Sequence, residues 1–238
     1  MKENIKNIAI ITSKLIRYNL KVVFAGKFWL FVLSAVLFFL VFGTIEAFND
    51  KYFMTDEVYG LLLFPALLLI FYPTVFGIQN DADMRTLEII FGIPDYRYKI
   101  WIVRLIMVFA IVFALLFPLG LLADFILIDI DVVRMSLQLM VVVFFVGSLS
   151  FFFSTWVRNG NGTAVVVVII GLIFFVFGDS LKESMWNIFL NPFKTFSDNR
   201  DLLWAETVTK NRIFMLSTSL VFILLGLLNL QNREKFLR

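Results

Sequence analysis

Apolar residues recur along this chain in long runs separated by short polar stretches. A helix crossing a bilayer needs about 20 mostly apolar residues to traverse about 30 Å of hydrocarbon. Six runs meet or approach that length: 28–48, 58–78, 100–123, 135–157, 164–177 and 213–230. The fifth is short, and is expected either to span or to be a broken helix extended by the segment after it. The predicted fold class is all-α integral membrane: six transmembrane helices preceded by an amphipathic interfacial helix, with a short cytoplasmic helix between spans two and three. The chain reads as one domain over 1–238, with the interfacial helix at 1–27, the six-span bundle at 28–230 and a tail at 231–238.

Composition fits that pattern. Hydrophobic residues make up 61% of the 238 and charged ones 16%, against about half and about a quarter in soluble domains. There is no cysteine and no histidine. That removes disulfides, zinc-thiolate and iron–sulfur ligation, and every catalytic arrangement that needs imidazole.

Charge then sets the expected orientation. With six spans and a cytoplasmic N-terminus, the inner segments carry Lys2, Lys6, Lys14, Arg17, Lys21, Lys27, Arg85, Arg97, Lys99, Arg104, Arg158, Arg233, Lys235 and Arg238, two thirds of the 21 basic residues. Acids run the other way, with only Glu3, Asp81, Asp83, Glu88, Asp95 and Glu234 inside. Positive charge favours the cytoplasmic side, so both termini are expected in the cytoplasm of a multi-pass plasma (inner) membrane protein. Trp29, Trp101 and Trp156 fall at inner ends of spans, where indole favours the headgroup region. Arg104, one turn inside span three, is expected to snorkel outward. The basic stretch before the first span is too long for a signal peptide, so that span should stay in the mature protein.

Outside the spans, Ile5, Ile8, Thr12, Leu15, Ile16 and Val23 share one helical face, with Lys6, Lys14, Arg17 and Lys21 opposite. Such a helix lies in the headgroup plane against anionic lipid. In the loop 79–99, Asp83 is placed to cap a short helix through Leu87, Glu88, Ile90 and Phe91; Gly92 ends it and Pro94 prevents its continuation. Leu87, Ile90 and Phe91 form an apolar strip. So short a helix is unstable alone, and it needs either a partner protein or the ends of neighbouring spans. The stretch 158–163 reads as a tight glycine-rich turn. The segment 178–212 is too apolar for a free loop, through Met185, Trp186, Ile188, Phe189, Leu190, Phe193 and Phe196, and is expected to hold an interfacial or re-entrant helix.

Chemistry is sparse. No Gly-Lys-Ser/Thr phosphate-binding loop occurs, so any ATP must be bound by another polypeptide. Asp and Glu are missing from the middle of all six spans, which disfavours an ion-coupled secondary transporter. No convergent polar cluster suggests an intramembrane enzyme. Glu46, Asp124, Asp129 and Asp131 lie at outer ends and are expected to be solvated, and Pro65, Pro73 and Pro118 can kink their spans.

The inner loop reads Arg85-Thr86-Leu87-Glu88-Ile89-Ile90-Phe91-Gly92-Ile93-Pro94, then Tyr96-Arg97-Tyr98-Lys99. With an amphipathic N-terminal helix, six spans and Asn191-Pro192-Phe193 before the last span, it resembles the ABC-2 type permeases of ABC transporters. Arg85 stands where that family usually has glycine. The resemblance implies a membrane-spanning permease subunit of an ATP-driven exporter, without enzymatic activity of its own. It implies dimerisation with a second permease copy or paralogue, ATP and Mg held on a separate ATP-binding subunit, and no nucleic acid. The loop helix then becomes a coupling helix docked on that subunit: Leu87, Ile90 and Phe91 fill its cleft, Arg85, Glu88 and Arg97 supply rim contacts, and Thr86 and Pro94 belong to the same motif. The rival expectations are an ATP-independent transporter and a membrane scaffold.

Overall fold

In a computed structural model, residues 28–48, 54–83, 85–92, 95–196 and 200–231 are described. The expected interfacial helix at 1–27 and nearly all of the tail lie outside them, as does the side chain of Glu46. Every regular element among the described residues is helical: α1 Phe28–Ala47, α2 Thr55–Val75, α3 Gly77–Asp83, α4 Thr86–Phe91, a π-helical turn Arg97–Ile102, α5 Val103–Ile126, α6 Val132–Val157, α7 Gly160–Val176 and α8 Asp201–Asn229. Four stretches are long and apolar enough to cross a membrane: Thr55–Asp83, Ile100–Ile126, Val132–Val157 and Leu202–Asn229. The apolar helices Trp29–Ile45 and Gly160–Val176 are shorter. This is the architecture of an all-α membrane protein.

The bundle is organised around α6, which packs against α2, α5, α7 and α8, while α1 lies against α2 and α5. Small residues explain why α6 takes the centre. Gly147 faces Phe109 and Ile70, and a Cβ there would come within 2.9 Å of both side chains. Ser136, Ser148, Ser150, Ser154 and Thr155 are buried on the same helix. Between apolar helices in lipid, close approach and van der Waals contact replace the hydrophobic drive. Ser148 and Thr155 return their hydroxyls to the carbonyls of Phe144 and Phe152, 2.7 Å each. The main core runs through Tyr59, Leu62, Leu69, Val112, Leu116, Leu139 and Met215.

The outward surface is apolar instead. Leu33, Leu37 and Val41 on α1, Ile169, Leu172 and Val176 on α7, and Leu220, Leu224 and Leu228 on α8 are all exposed. In water such a surface would aggregate; in hydrocarbon it needs no cover.

Three local expectations are corrected. Asp83 does not cap α4: it ends α3, and Arg85 takes the capping position in the left-handed region, φ 56°, with no side-chain cap. The glycine-rich turn shrinks to Arg158 and Asn159, because the Asn159 carboxamide accepts from the Gly162 N–H at 3.2 Å and starts α7 at Gly160. The segment after α7 holds no helix as far as Phe196; it is a series of turns, and α8 begins only at Asp201. Asparagines cause this. Asn187 and Asn191 accept from the backbone N–H groups of Phe189 and Phe193 at 2.9 and 3.0 Å, making local turns that compete with helix. Asn191 also donates to the Asp56 carbonyl at 2.7 Å, tying the turns to the start of α2.

Candidate functional site at the loop-helix end

The end of α2–α3, the start of α5, the α6–α7 turn and the end of α8 gather at one end of the bundle, with α4 across them. α2 stops at Val75, and after Phe76 the chain resumes as α3. Asp81, on α3, is buried. Facing it is Arg104 on α5, whose Nη1 donates to Asp81 Oδ2. The Arg104 guanidinium also lies 5.4 Å from the centre of the Trp101 ring, a separation at which the ring face attracts a cation.

Two of the residues expected at the membrane interface are therefore inside. Arg104 does not snorkel, and Trp101 is packed beside Leu105 and Phe151. The buried carboxylate decides this for Arg104: pairing offsets the loss of water, which an unpaired guanidinium at that depth would lack. Trp29 and Trp156 do stay exposed.

Further polar contacts hold the elements of this end together. Thr86 donates through its hydroxyl to the Asp81 carbonyl at 3.0 Å, joining α3 to the first residue of α4. Beyond α4, the Tyr96 hydroxyl donates to the carbonyl of Leu230 at the close of α8. Gln79 Oε1 accepts from the Gly160 N–H at the start of α7. Glycine is required there, since a Cβ on residue 160 would sit 2.4 Å from both Gln79 Oε1 and Phe76 Cδ1.

The strip expected to fill a partner's cleft is divided by the fold. Leu87 and Phe91 are 2% and 4% exposed and pack with Ile78, Tyr96, Trp101, Leu105 and Leu227, while Ile90 is half-buried against the same cluster. What α4 presents outward is Arg85, Glu88 and Ile89, the last 71% exposed. Pro94 and the side chain of Arg97 lie outside the described residues; the Arg97 backbone opens the π-helical turn into α5. A π turn widens the helix locally and here immediately precedes Arg104. Of the eight residues expected to form one surface, the structure puts Leu87 and Phe91 inside and leaves Arg85 and Glu88 outside.

Sequence reasoning did not find the Asp81–Arg104 pair, although a signal existed. An acid and a base each sat next to an apolar run, at the same expected end of adjacent spans.

A second polar cluster lies at the opposite end. Arg212 is buried on α8 and donates to five acceptors: Gln138 Oε1 at 2.9 Å, Asn211 Oδ1 at 2.9 Å, the Leu190 carbonyl at 3.3 Å, Tyr59 Oη at 3.5 Å and Met215 Sδ at 3.7 Å. All are neutral. Asn211 donates to the carbonyls of Met185 and Asn187, at 2.8 and 2.9 Å. These side chains fasten the turns after α7 onto the bundle.

No protein-family model, no curated protein and no solved structure matches this chain.

Proposed function

We propose that the chain is the membrane-spanning permease subunit of an ATP-driven exporter, with α4 and its flanks as the element that engages a separate ATP-binding subunit. In this reading all six apolar helices cross the bilayer. The 20 residues of α1 correspond to about 30 Å of helix and the 17 of α7 to about 25 Å, so α7 spans with local thinning or with help from the turns after it. Both termini, α4 and the α6–α7 turn face the cytoplasm, and ATP and Mg stay on the partner. A second permease copy completes the transport path.

The observation that carries the proposal is the mechanical connection of α4. It is joined to α3 through Thr86; α3 is in turn joined to α5 through Asp81–Arg104, and Tyr96, just beyond α4, is joined to the end of α8. Force applied to its outward face passes through Thr86 into α3, and through the packing of Leu87 and Phe91 into the ends of α5 and α8. The docking face is Arg85, Glu88 and Ile89, with Leu87 and Phe91 as its internal root.

Co-purification with a candidate ATP-binding subunit, co-expressed with the chain, tests the proposal. Replacing the exposed Ile89 with aspartate should preserve yield and thermal stability, yet lower both co-purification and stimulated ATP hydrolysis by tenfold or more, roughly the loss of one interface anchor. Unchanged ATPase capture by Ile89→Asp and by Glu88→Arg would reject α4 as the docking element. Transport by the purified chain alone, without nucleotide, would reject the exporter reading altogether. The burial of Leu87 and Phe91 favours one second reading, in which α4 closes that end of the bundle and binds nothing; the same two variants separate it from the first.

A further inference from the structure

At the end opposite α4, an open cleft of about 650 Å³ lies between the start of α6, the first turns of α8 and the last of the irregular turns. Small-molecule sites commonly fall between about 300 and 1,000 Å³. Asp129, Asp131, Arg134 and Lys194 line it. Among the described residues, none of the four pairs with another. The Asp131 carboxylate instead accepts from the Arg134 backbone N–H at 3.0 Å, capping α6. The Arg134 guanidinium lies 5.7 Å from the Phe193 ring centre, and the Lys194 ammonium 4.8 and 5.8 Å from those of Phe196 and Trp204.

Charges of both signs thus border one volume without neutralising each other. A simple anion entering it meets two carboxylates, and a simple cation meets an arginine and a lysine. A molecule that carries both signs a few atoms apart satisfies all four. Gln138 adds a directed donor: its Oε1 is taken by the buried Arg212, which leaves the amide N–H groups for a ligand oxygen.

The rim indicates what is attached to that zwitterion. Thr209 lines the cleft on α8, and Ile213, Leu216 and Leu220 come after it at i+4, i+7 and i+11, the spacing of one helical face. All three are exposed. On α6, exposed Val133 and Leu137 run beside Arg134 and Gln138. The polar cleft therefore opens onto two apolar stripes on the bundle's outer surface. A soluble zwitterion has no contact to make with them, whereas a phospholipid has a two-sign headgroup above two acyl chains.

We infer that this cleft binds a zwitterionic glycerophospholipid, with the phosphate between Arg134, Lys194 and Gln138, the ammonium toward Asp129 and Asp131, and the acyl chains along the stripes of α6 and α8. The inference stands independently of whether α4 engages an ATPase.

Native mass spectrometry of the full-length chain in mild detergent, titrated with dioleoyl lipids of identical tails, tests it. Phosphatidylethanolamine should bind at least about tenfold more tightly than anionic phosphatidylglycerol, against the trend for a chain of net charge +3. Arg134→Gln with Lys194→Gln should weaken phosphatidylethanolamine binding by about tenfold or more, the usual effect of losing a charge-assisted hydrogen bond. Asp129→Asn should narrow the preference by raising phosphatidylglycerol binding. Asp129 and Arg134 are exposed and Lys194 is half-buried, so the variants should elute and show helical circular dichroism like the parent. Asp131 is left intact because it caps α6. Equal or tighter binding of phosphatidylglycerol by the unmodified chain, or no change in preference with Asp129→Asn, would overturn the assignment. Binding of glycerophosphoethanolamine as tight as that of the intact lipid would overturn it too, by showing that the apolar stripes contribute nothing.

Discussion

Replacing Asp81 with asparagine removes one charge from a pair that is almost wholly out of water. The side chains of Arg104 and Asp81 are 10% and 3% exposed, so solvent can do little to rehydrate the guanidinium left behind. Breaking such a pair from one side costs about 3–5 kcal/mol, most of it the desolvation of the surviving charge. The backbone link at this junction survives the change, because Thr86 donates to the carbonyl of Asp81. The loss is therefore mainly that of the charge pair. Arg104→Gln should cost a similar amount, with about 0.5–2 kcal/mol more for its contact with the Trp101 ring. Combining the two should lose no more than the worse single change, giving a coupling energy of at least about 2 kcal/mol. Asp81→Leu with Arg104→Met, which fills the space with apolar side chains, should recover most of the native stability. The assay is unfolding in mixed micelles on titration with dodecyl sulfate, monitored by far-ultraviolet circular dichroism. If the two single losses simply add, within about 0.5 kcal/mol, the side chains do not interact and the connection of α3 to α5 is wrong.

Other perturbations probe the remaining joints. Gly160→Ala should lower stability by about 1–3 kcal/mol, the cost of overpacking, since its Cβ meets Phe76 and Gln79 at 2.4 Å. Gly171→Ala, on the same helix with nothing within 4 Å, should raise stability by about 0.5–1 kcal/mol; the same thermal-denaturation series in detergent reads both, and equal effects would contradict the packing of α7 on α3. Arg212→Lys keeps the charge but not the planar fork, and should expose the turns 185–191 to limited proteolysis several-fold faster; an unchanged cleavage rate would show that Arg212 does not hold them.

The cleft end and the loop end differ in how readable they were. The positions of the long apolar helices could be read directly, because a run of about 20 apolar residues declares itself whatever its partners; α6 and α8 extend beyond the expected starts by three and twelve residues, since helix continues through polar caps as readily as through apolar runs. The stop of α4 at Gly92, two residues before Pro94, was likewise legible locally. In the turns after α7 the same reasoning failed: apolar content argued for helix, yet Asn187 and Asn191 bond their own backbone and are then held by Asn211 and Arg212 from another helix.

From sequence alone came the solvent of this chain, the order of its apolar helices and the existence of a short helix between the second and third apolar runs, all of which arise from patterns within about 20 residues. Only tertiary structure decided which way that short helix turns. Leu87 and Phe91 face the bundle because Ile78, Trp101 and Leu227, far apart in the chain, form an apolar cluster there, and Ile89 faces outward by default. It also decided that Asp81 meets Arg104, 23 residues on, and that Arg212 meets Gln138, 74 residues back. A run of apolar residues records its preference for lipid at every position, whereas a buried charge records only its need for partners, and the packing of distant helices supplies them.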